Sequence, residues 1–278
     1  MKNNPFDLTS KVAVITGGGG FLGPKHAEAI IEQGGNVVLV DHHEDRLKEK
    51  SQNLIEKYGE DINVLWYTTD ITKPKEVQST IDKICDHHGK IDILINNAAR
   101  DPKVKKGGTR LDEARFETMT PEYWYSNLDA ALNGTFFMSQ TVANRMLEKG
   151  GGVILNISSD LGVIAPDQRI YKRPGIPDDQ QPVKPITYSA AKWAVIGMTK
   201  YLAVYFAEQG IRVNSLCPTG VYRDEIPDEF VEKLTNLIPM NRMATEDEYK
   251  GAIMFLCSNA SSYMTGSNVV IDGGKSVW

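Results

Sequence analysis

The sequence predicts an α/β fold in which one doubly wound parallel β-sheet of about seven strands carries helices on both faces. Short apolar runs rich in β-branched residues alternate along the chain with longer amphipathic segments. Parallel neighbouring strands need crossover helices, so this alternation is typical of such a sheet. The first run, residues 11–16, also ends in a glycine-rich turn that leads into a helical pattern, which favours the same fold.

Each element follows from a local pattern. The apolar runs are predicted as strands at residues 11–16, 37–40, 62–68, 91–95, 153–157, 211–216 and 268–271. Amphipathic segments are predicted as helices from the glycine turn to residue 34, at 43–58, 73–88 and 121–149, around Tyr188, and at 245–258. No repeat, low-complexity segment or linker divides the 278 residues, so we interpret residues 1–278 as a single domain.

Two stretches interrupt the alternation, residues 100–118 and 163–186. They follow the fourth and fifth strands, whose carboxyl ends border the expected ligand crevice, so we interpret them as insertions near an active site. Both insertions hold basic side chains, namely Arg100, Lys103, Lys105, Lys106, Arg169, Lys172 and Arg173. One hypothesis is that the second insertion forms a lid and that these cations bind an anionic substrate; the other is a solvated charge run.

Composition excludes several classes of protein. A net charge of −5 offers no basic surface for nucleic acid. The N-terminus is polar, and no run approaches the roughly 20 apolar residues that cross a bilayer, so we expect a cytoplasmic protein without membrane contact. Cys85, Cys217 and Cys257 are far apart in apolar surroundings, which predicts buried thiols and no metal site.

The glycine turn at residues 17–23 lies between a buried strand and a helix N-terminus, where backbone N–H groups can face a pyrophosphate. A turn without a ligand is the alternative. Asp41 ends the second strand 24 positions after Gly17, near the expected place of a carboxylate that binds a ribose hydroxyl. A 2′-phosphate there would meet a like charge, and the nearest arginine, Arg46, should lie more than a helical turn away. The sequence therefore predicts NAD rather than NADP.

Tyr188 and Lys192 are four residues apart, so a helix would place the phenol and the ammonium on one face. A cation that favours the phenolate would make the tyrosine a proton acceptor nearer neutral pH. The pair is weak by itself, because about one Tyr-x-x-x-Lys is expected by chance in a chain of this composition.

Other short motifs follow the predicted strands at their carboxyl ends. They are Thr16-Gly17 with the glycine turn, Asp70-Ile71, Asn96-Asn97-Ala98-Ala99, Ser158-Ser159, and the segment from Asn214 to Val221. Together with Tyr188 and Lys192, in this order, they resemble the motifs of the short-chain dehydrogenase/reductase family over nearly the whole chain. The resemblance implies a Rossmann-like, single-domain oxidoreductase.

The resemblance also implies roles for individual residues. Tyr188 would be the general acid/base, Ser159 would hydrogen-bond the substrate oxygen in competition with Ser158, and Lys192 would lower the pKa of Tyr188 and hold the nicotinamide ribose. The implied cofactor-binding residues are Gly17, Gly20, Phe21, Leu22, Asp41, Asp70, Ile71, Asn97, Ala98, Tyr188, Lys192, Pro218 and Val221. Asp70 and Asn97 have an alternative role, which is to cap or turn the chain at strand ends.

The sequence departs from the family pattern at several positions. Phe21 stands where most short members have a glycine, and Ala131 stands where the family has an asparagine of the proton relay. Asn133 should face away from the relay position, because two helix positions turn a side chain by about 200°. Thr219 replaces a glycine, and Arg223, near the place of a threonine, binds a phosphate or is a surface charge.

The resemblance implies an NAD-dependent oxidoreductase that interconverts a secondary alcohol and a ketone on a carbohydrate or sugar-nucleotide-like substrate. The glycine turn, the insertions and the ending at residues 272–278 resemble, more weakly, members in bacterial surface-carbohydrate and nonulosonic-acid pathways. A ketoacyl-thioester reductase and a catalytically silent dinucleotide-binding protein are the alternatives.

We also expect a homotetramer or homodimer. The apolar side chains of Phe136, Phe137, Trp193, Val195, Tyr201 and Trp278 exceed what one sheet face needs. Their alternative place is the core of the monomer.

Overall fold

The computed structural model describes residues 4–100 and 114–278. Seven strands form one parallel sheet in the order β3-β2-β1-β4-β5-β6-β7, which confirms the predicted fold class. The strands are β1 (Val12–Thr16), β2 (Asn36–Asp41), β3 (Val64–Thr68), β4 (Ile93–Asn96), β5 (Gly152–Ile157), β6 (Ile211–Pro218) and β7 (Asn268–Ile271). The order reverses between β1 and β4, so a crevice opens at their carboxyl ends.

Helices cover both faces of the sheet. They are α1 (Gly23–Ile31), α2 (Glu44–Tyr58), α3 (Pro74–His88), α4 (Pro121–Leu128), α5 (Thr135–Glu148), α6 (Ile186–Phe206), α7 (Asp228–Thr235) and α8 (Lys250–Cys257). Burial on both faces of the sheet explains why strand β1 is apolar from Val12 to Ile15: Ala13 and Ile15 pack in one core cluster, and Val12 and Val14 pack in the other. A parallel strand buried on both faces needs no polar alternation.

The helix predicted at residues 121–149 is interrupted. A π-helical segment, Asp129–Gly134, separates α4 from α5. Within it the Thr135 hydroxyl donates to the carbonyl of Ala131 at 2.8 Å, and a Cβ on Gly134 would lie 2.6 Å from the Ile71 side chain. Close packing against Ile71 thus requires glycine, and π segments of this kind are frequent at functional sites.

Two other helix predictions need correction. Helix α7 was not predicted; it is a short helix that begins directly after Pro227. Helix α8 begins at Lys250 rather than at 245; residues 246–249 form a turn before it, in which the backbone N–H of Thr245 donates to the Glu248 carboxylate at 2.7 Å. Both elements lie between β6 and β7 along the chain.

Candidate active site

A cleft with a volume of about 660 Å³ lies at the carboxyl ends of the strands. Every predicted catalytic and cofactor residue lines it: Gly17, Gly20, Phe21, Leu22, Asp41, Asp70, Ile71, Asn97, Ala98, Ser159, Tyr188, Lys192, Pro218 and Val221. These residues come from the carboxyl ends of six strands, β1 to β6, from the loops that follow them, and from helix α6, and the parallel sheet brings them together. The volume is in the range of small-molecule and cofactor sites.

The glycine turn forms one end of the cleft. Gly17 has φ +67°, and a Cβ there would lie 2.9 Å from the Asn97 amide nitrogen. A Cβ on Gly23 would lie 2.4 Å from the Gly17 carbonyl oxygen. Side chains are therefore excluded at both positions, and the backbone N–H groups at the start of α1 stay open to a ligand.

Asp41 lies beside the glycine turn and is held by hydrogen bonds. Its Oδ2 accepts from Gly19 N at 3.1 Å, and its Oδ1 accepts from His43 N at 3.1 Å and lies 3.3 Å from His42 Nδ1. Arg46 is nearer than the sequence suggested. A Cβ on Gly19 would lie 3.0 Å from Arg46 Cβ and 3.3 Å from Asp41 Oδ2, and Arg46 lines the cleft.

Asn97 and Asp70 also have the structural roles considered as alternatives. Asn97 Nδ2 donates to the carbonyls of Thr16, at 3.0 Å, and Gly17, at 3.3 Å, so it ties β4 to the glycine turn. Asp70 accepts from the backbone N and the hydroxyl of Thr72. Burial alone would raise the pKa of Asp70, but these hydrogen bonds lower it below its ordinary value. Asn97 and Asp70 can therefore each hold the chain at a strand end and also contact a cofactor.

Tyr188 and Lys192 lie on α6 with Ser158 and Ser159 opposite. Lys192 is 5% exposed, and its Nζ donates to the Ile157 carbonyl at 2.8 Å and lies 5.8 Å from the Tyr188 ring centroid. The Ser158 hydroxyl donates to the backbone carbonyl of Lys192 at 2.8 Å. Ser158 therefore fastens α6 to β5, whereas Ser159 bonds a side chain, Asp160, at 2.7 Å.

Sequence reasoning missed a buried ion pair beside Ser159. Asp160 Oδ2 lies 2.7 Å from Lys275 Nζ and accepts from the Thr219 hydroxyl at 2.8 Å. The side chains of Asp160 and Lys275 are only 5% and 9% exposed. The signal was an aspartate directly after the serine pair, together with a lysine directly after Gly273-Gly274.

The residues that depart from the family pattern have defined contacts in the structure. Ala131 is buried and offers only its carbonyl, which already accepts from Thr135. Asn133 is exposed and bonds Asp129 at 2.8 Å, so it faces away from the relay position as expected. The Arg223 guanidinium lies 4.8 Å from the Phe21 ring centroid, and both residues line the cleft beside the glycine turn.

The second insertion contributes fewer cations to the cleft than the lid hypothesis requires. Arg169 is bonded to Asp167 and its side chain is 84% exposed, and Lys172 is bonded to Asp178. The insertion residues that line the cleft are Ile170, Tyr171 and Lys184. Arg100 lines it from the first insertion, whereas Lys103, Lys105 and Lys106 lie outside the described residues.

Residues 4–100 and 114–278 contain no cluster of His, Cys, Asp and Glu able to hold a metal ion, and no helix long and apolar enough to cross a membrane. Cys217 and Cys257 are buried, but Cys85 is only half-buried, which corrects the prediction for that residue. Burial raises the pKa of the Cys257 thiol to about 12.

A glycine turn at the switch point of a doubly wound sheet, with a Ser-Tyr-Lys group in the same cleft, defines the class of dinucleotide-dependent α/β oxidoreductases. Residues 11–171 match the family model for short chain dehydrogenases, and residues 180–276 match the model for enoyl-(acyl carrier protein) reductases. The chain belongs to the short-chain dehydrogenase/reductase family and is an oxidoreductase.

Individual relatives are similar over their full length. The chain is 32% identical to an NAD-dependent glycerol dehydrogenase of Listeria innocua, covering 98% of this chain and 96% of the relative. It is also 32% identical to a D-threitol dehydrogenase of Mycolicibacterium smegmatis, covering 98% and 95%. A gluconate 5-dehydrogenase from Burkholderia cenocepacia, solved with NADP and tartrate, superposes with a TM-score of 0.82 at 26% identity, covering 99% and 98%.

Proposed function

We propose that the protein is an NAD-dependent dehydrogenase that interconverts a secondary alcohol and a ketone on a polyol or related sugar. The observation that carries this proposal is the arrangement of Ser159, Tyr188 and Lys192 in the cleft that also holds the glycine turn. The names of similar proteins, which act on glycerol and D-threitol, support the polyol class. The weaker resemblance to nonulosonic-acid enzymes has no comparable support.

The cleft fits a nicotinamide dinucleotide. Gly17 and Gly23 permit the close packing of the glycine turn, and this turn adjoins the N-terminus of α1, where backbone N–H groups would face the pyrophosphate. Arg223, which packs on Phe21, would bind the pyrophosphate. When bound, the nicotinamide supplies or accepts the hydride.

The chain's own residues would move and hold the proton. Tyr188 would accept the alcohol proton during oxidation and return it during ketone reduction. Lys192, oriented by the Ile157 carbonyl, would stabilise the phenolate and hold the ribose. Ser159 would bind the reacting oxygen. Because Ala131 lacks an amide side chain, the proton would leave toward solvent without the family asparagine.

Asp41 supports NAD over NADP. A 2′-phosphate about 4 Å from this carboxylate would be repelled by roughly 4 kcal/mol at an effective dielectric constant of 20. Arg46 lies near Asp41 and would offset part of that repulsion. We therefore expect kcat/KM with NAD(H) to exceed that with NADP(H) by about tenfold.

The experiment is a polyol oxidation assay with NAD and with NADP, on glycerol, D-threitol and xylitol. Tyr188→Phe is expected to lower kcat by at least about a hundredfold with the dissociation constant of NADH nearly unchanged. Tyr201→Phe, which changes a tyrosine on the exposed face of α6, is the matched control and should keep full activity. Wild-type activity in Tyr188→Phe would refute the assignment.

A ketoacyl-thioester reductase is the second candidate. The match of residues 180–276 to an acyl carrier protein reductase model supports it, as does an apolar cluster near the cleft formed by Ile170, Ile226, Leu234, Ile238 and Met243. Reduction of acetoacetyl-CoA with NADPH, faster than any polyol is oxidised, would favour this candidate. Binding of NADH without turnover of either substrate class would favour the silent protein.

We further propose that the chain assembles as a homodimer or homotetramer. Trp193 and Tyr201 are 51% and 66% exposed on α6, and Phe136 is 44% exposed on α5. Val195 is only 2% exposed and Phe137 packs against the core, so these two residues belong to the monomer.

A further inference from the structure

Two lysines, not one, face the ring of Tyr188. Lys184 Nζ lies 3.7 Å from the ring centroid, whereas Lys192 Nζ lies 5.8 Å from it. We propose that Lys184 is a positioning residue that stabilises the phenolate of Tyr188 and holds its ring in the cleft. This inference rests on the proposed function, in which Tyr188 exchanges the proton.

The backbone fixes Lys184 in this place. Lys184 precedes α6, and the following residue, Pro185, has an extended backbone (ψ 147°) and caps the helix. The Gln168 side chain makes two hydrogen bonds with the Lys184 backbone. Lys184 N donates to Gln168 Oε1 at 2.9 Å, and Gln168 Nε2 donates to the Lys184 carbonyl at 3.0 Å. The second insertion therefore holds the lysine one turn before Tyr188, where its side chain reaches the ring.

A cation on the face of an aromatic ring attracts the neutral phenol through the ring quadrupole and the phenolate through its full charge. The second interaction is stronger, so the lysine favours ionisation of Tyr188. During alcohol oxidation Tyr188 must be ionised to accept the proton, so activity rises as pH rises through this ionisation. Loss of the cation should therefore move the rise to higher pH.

Other charged groups also lie around Tyr188 in the described part of the chain. Lys192 faces Tyr188 from the same helix, and Asp160 and Lys275 next to Ser159 neutralise each other at 2.7 Å. The remaining charged residues of the cleft wall are Arg46, Asp41, Asp70, Arg100, Asp129 and Arg223, with His42 and His43. The Lys184 ammonium lies closer to the Tyr188 ring centroid than the Lys192 ammonium does.

The test compares Lys184→Met with Lys184→Arg and with Lys172→Met. Lys172 is an exposed lysine of the same insertion that pairs with Asp178, so it controls for the loss of one charge. Tyrosinate formation at Tyr188 is measured by ultraviolet difference titration, as the difference between each protein and the same protein carrying Tyr188→Phe. In parallel, kcat for D-threitol oxidation with NAD is measured as a function of pH.

We expect Lys184→Met to raise the midpoint of Tyr188 ionisation and the acid limb of the kcat profile by about one pH unit. Lys184→Arg keeps the positive charge, so its midpoint should stay close to the wild-type value. Lys172→Met should leave the midpoint unchanged. An unmoved midpoint in Lys184→Met would overturn the inference. So would an increased KM for D-threitol without any change in the pH profile, which would make Lys184 a substrate-binding residue instead.

The two proposals can fail separately. The titration needs neither substrate nor turnover, so a shifted midpoint in a protein that oxidises no alcohol would uphold the role of Lys184 and refute the proposed function. Should Lys184→Met fail to fold, as judged by thermal unfolding, Lys184→Gln would be titrated in its place, with the same expected shift.

Discussion

At the scale of single residues, the ion pair between Asp160 and Lys275 fixes the carboxylate to which the Ser159 hydroxyl donates. Asp160 accepts from Ser159, from Thr219 and from the backbone N–H of Leu161, and Lys275 balances its charge. Breaking a buried pair leaves one charge uncompensated, which typically costs about 3–5 kcal/mol. Residues far apart along the chain thus set the geometry of the site.

We expect Lys275→Met to lower the free energy of unfolding in urea by about 3 kcal/mol. The same change in an Asp160→Asn background should cost much less, because the amide carries no charge to compensate. The double-mutant cycle measures this coupling. Equal losses in both backgrounds would show that Lys275 stabilises the fold without its partner.

The residues that sequence reasoning identified have local signals. Tyr188 and Lys192 are recognisable from helical spacing, and Ser159 and Asn97 from their places after apolar runs. For Lys275 the only local signal is its place after Gly273-Gly274, and that place does not indicate its partner, because Asp160 lies 115 positions earlier in the sequence. Lys184 is also unrecognisable, because its position depends on Gln168, which lies 16 positions earlier in an irregular segment. These contacts form only through tertiary packing.

At the scale of elements, strands were more predictable than helices. The apolar strand runs reflect burial on both faces, a constraint that acts on every residue of β1. The π segment at Asp129–Gly134 keeps helical periodicity on either side, so hydrophobic patterning does not reveal it. Helix α7 is eight residues long and packs a small apolar cluster away from the sheet, which weakens its signal.

Helix α1 contains a buried titratable group next to the glycine turn. His26 is 1% exposed, and its Nε2 finds no hydrogen-bond partner among the residues described. Burial lowers the pKa of His26 to about 4 from an ordinary value of 6.5, and an interaction with Asn97 offsets this only in part. His26 is therefore neutral in the folded protein at physiological pH.

This environment predicts a loss of stability in mild acid. The unfolded chain binds a proton on His26 more readily than the folded protein does, so stability falls as pH drops from 6.5 toward 4, by about 3 kcal/mol in total. We expect urea unfolding of His26→Gln to show a clearly smaller loss over this range than wild type. His87→Gln, at an exposed histidine, should behave as wild type. Parallel curves for wild type and His26→Gln would contradict the prediction.

At the scale of the whole molecule, helix α6 has more apolar surface than the monomer buries. Its inner face packs Ile196, Thr199, Ala203 and Phe206 against the sheet. The outer face exposes Val204 by 82% and Tyr205 by 61%, and Tyr205 stacks on Tyr201 with ring centroids 5.8 Å apart. A helix that is apolar on both faces is typical of burial on both sides, so the outer face needs a partner.

A second copy of the chain would satisfy this surface, because a two-fold axis lets the same helix face pair with itself. Light scattering at micromolar concentration should therefore return two or four times the monomer mass of 30.9 kDa. Tyr201→Glu combined with Val204→Glu places like charges in the contact and should shift the mass toward the monomer. Tyr263→Glu, at a fully exposed tyrosine outside α6, should leave the assembly intact. A wild-type mass near 30.9 kDa would mean that the outer face of α6 is solvated instead.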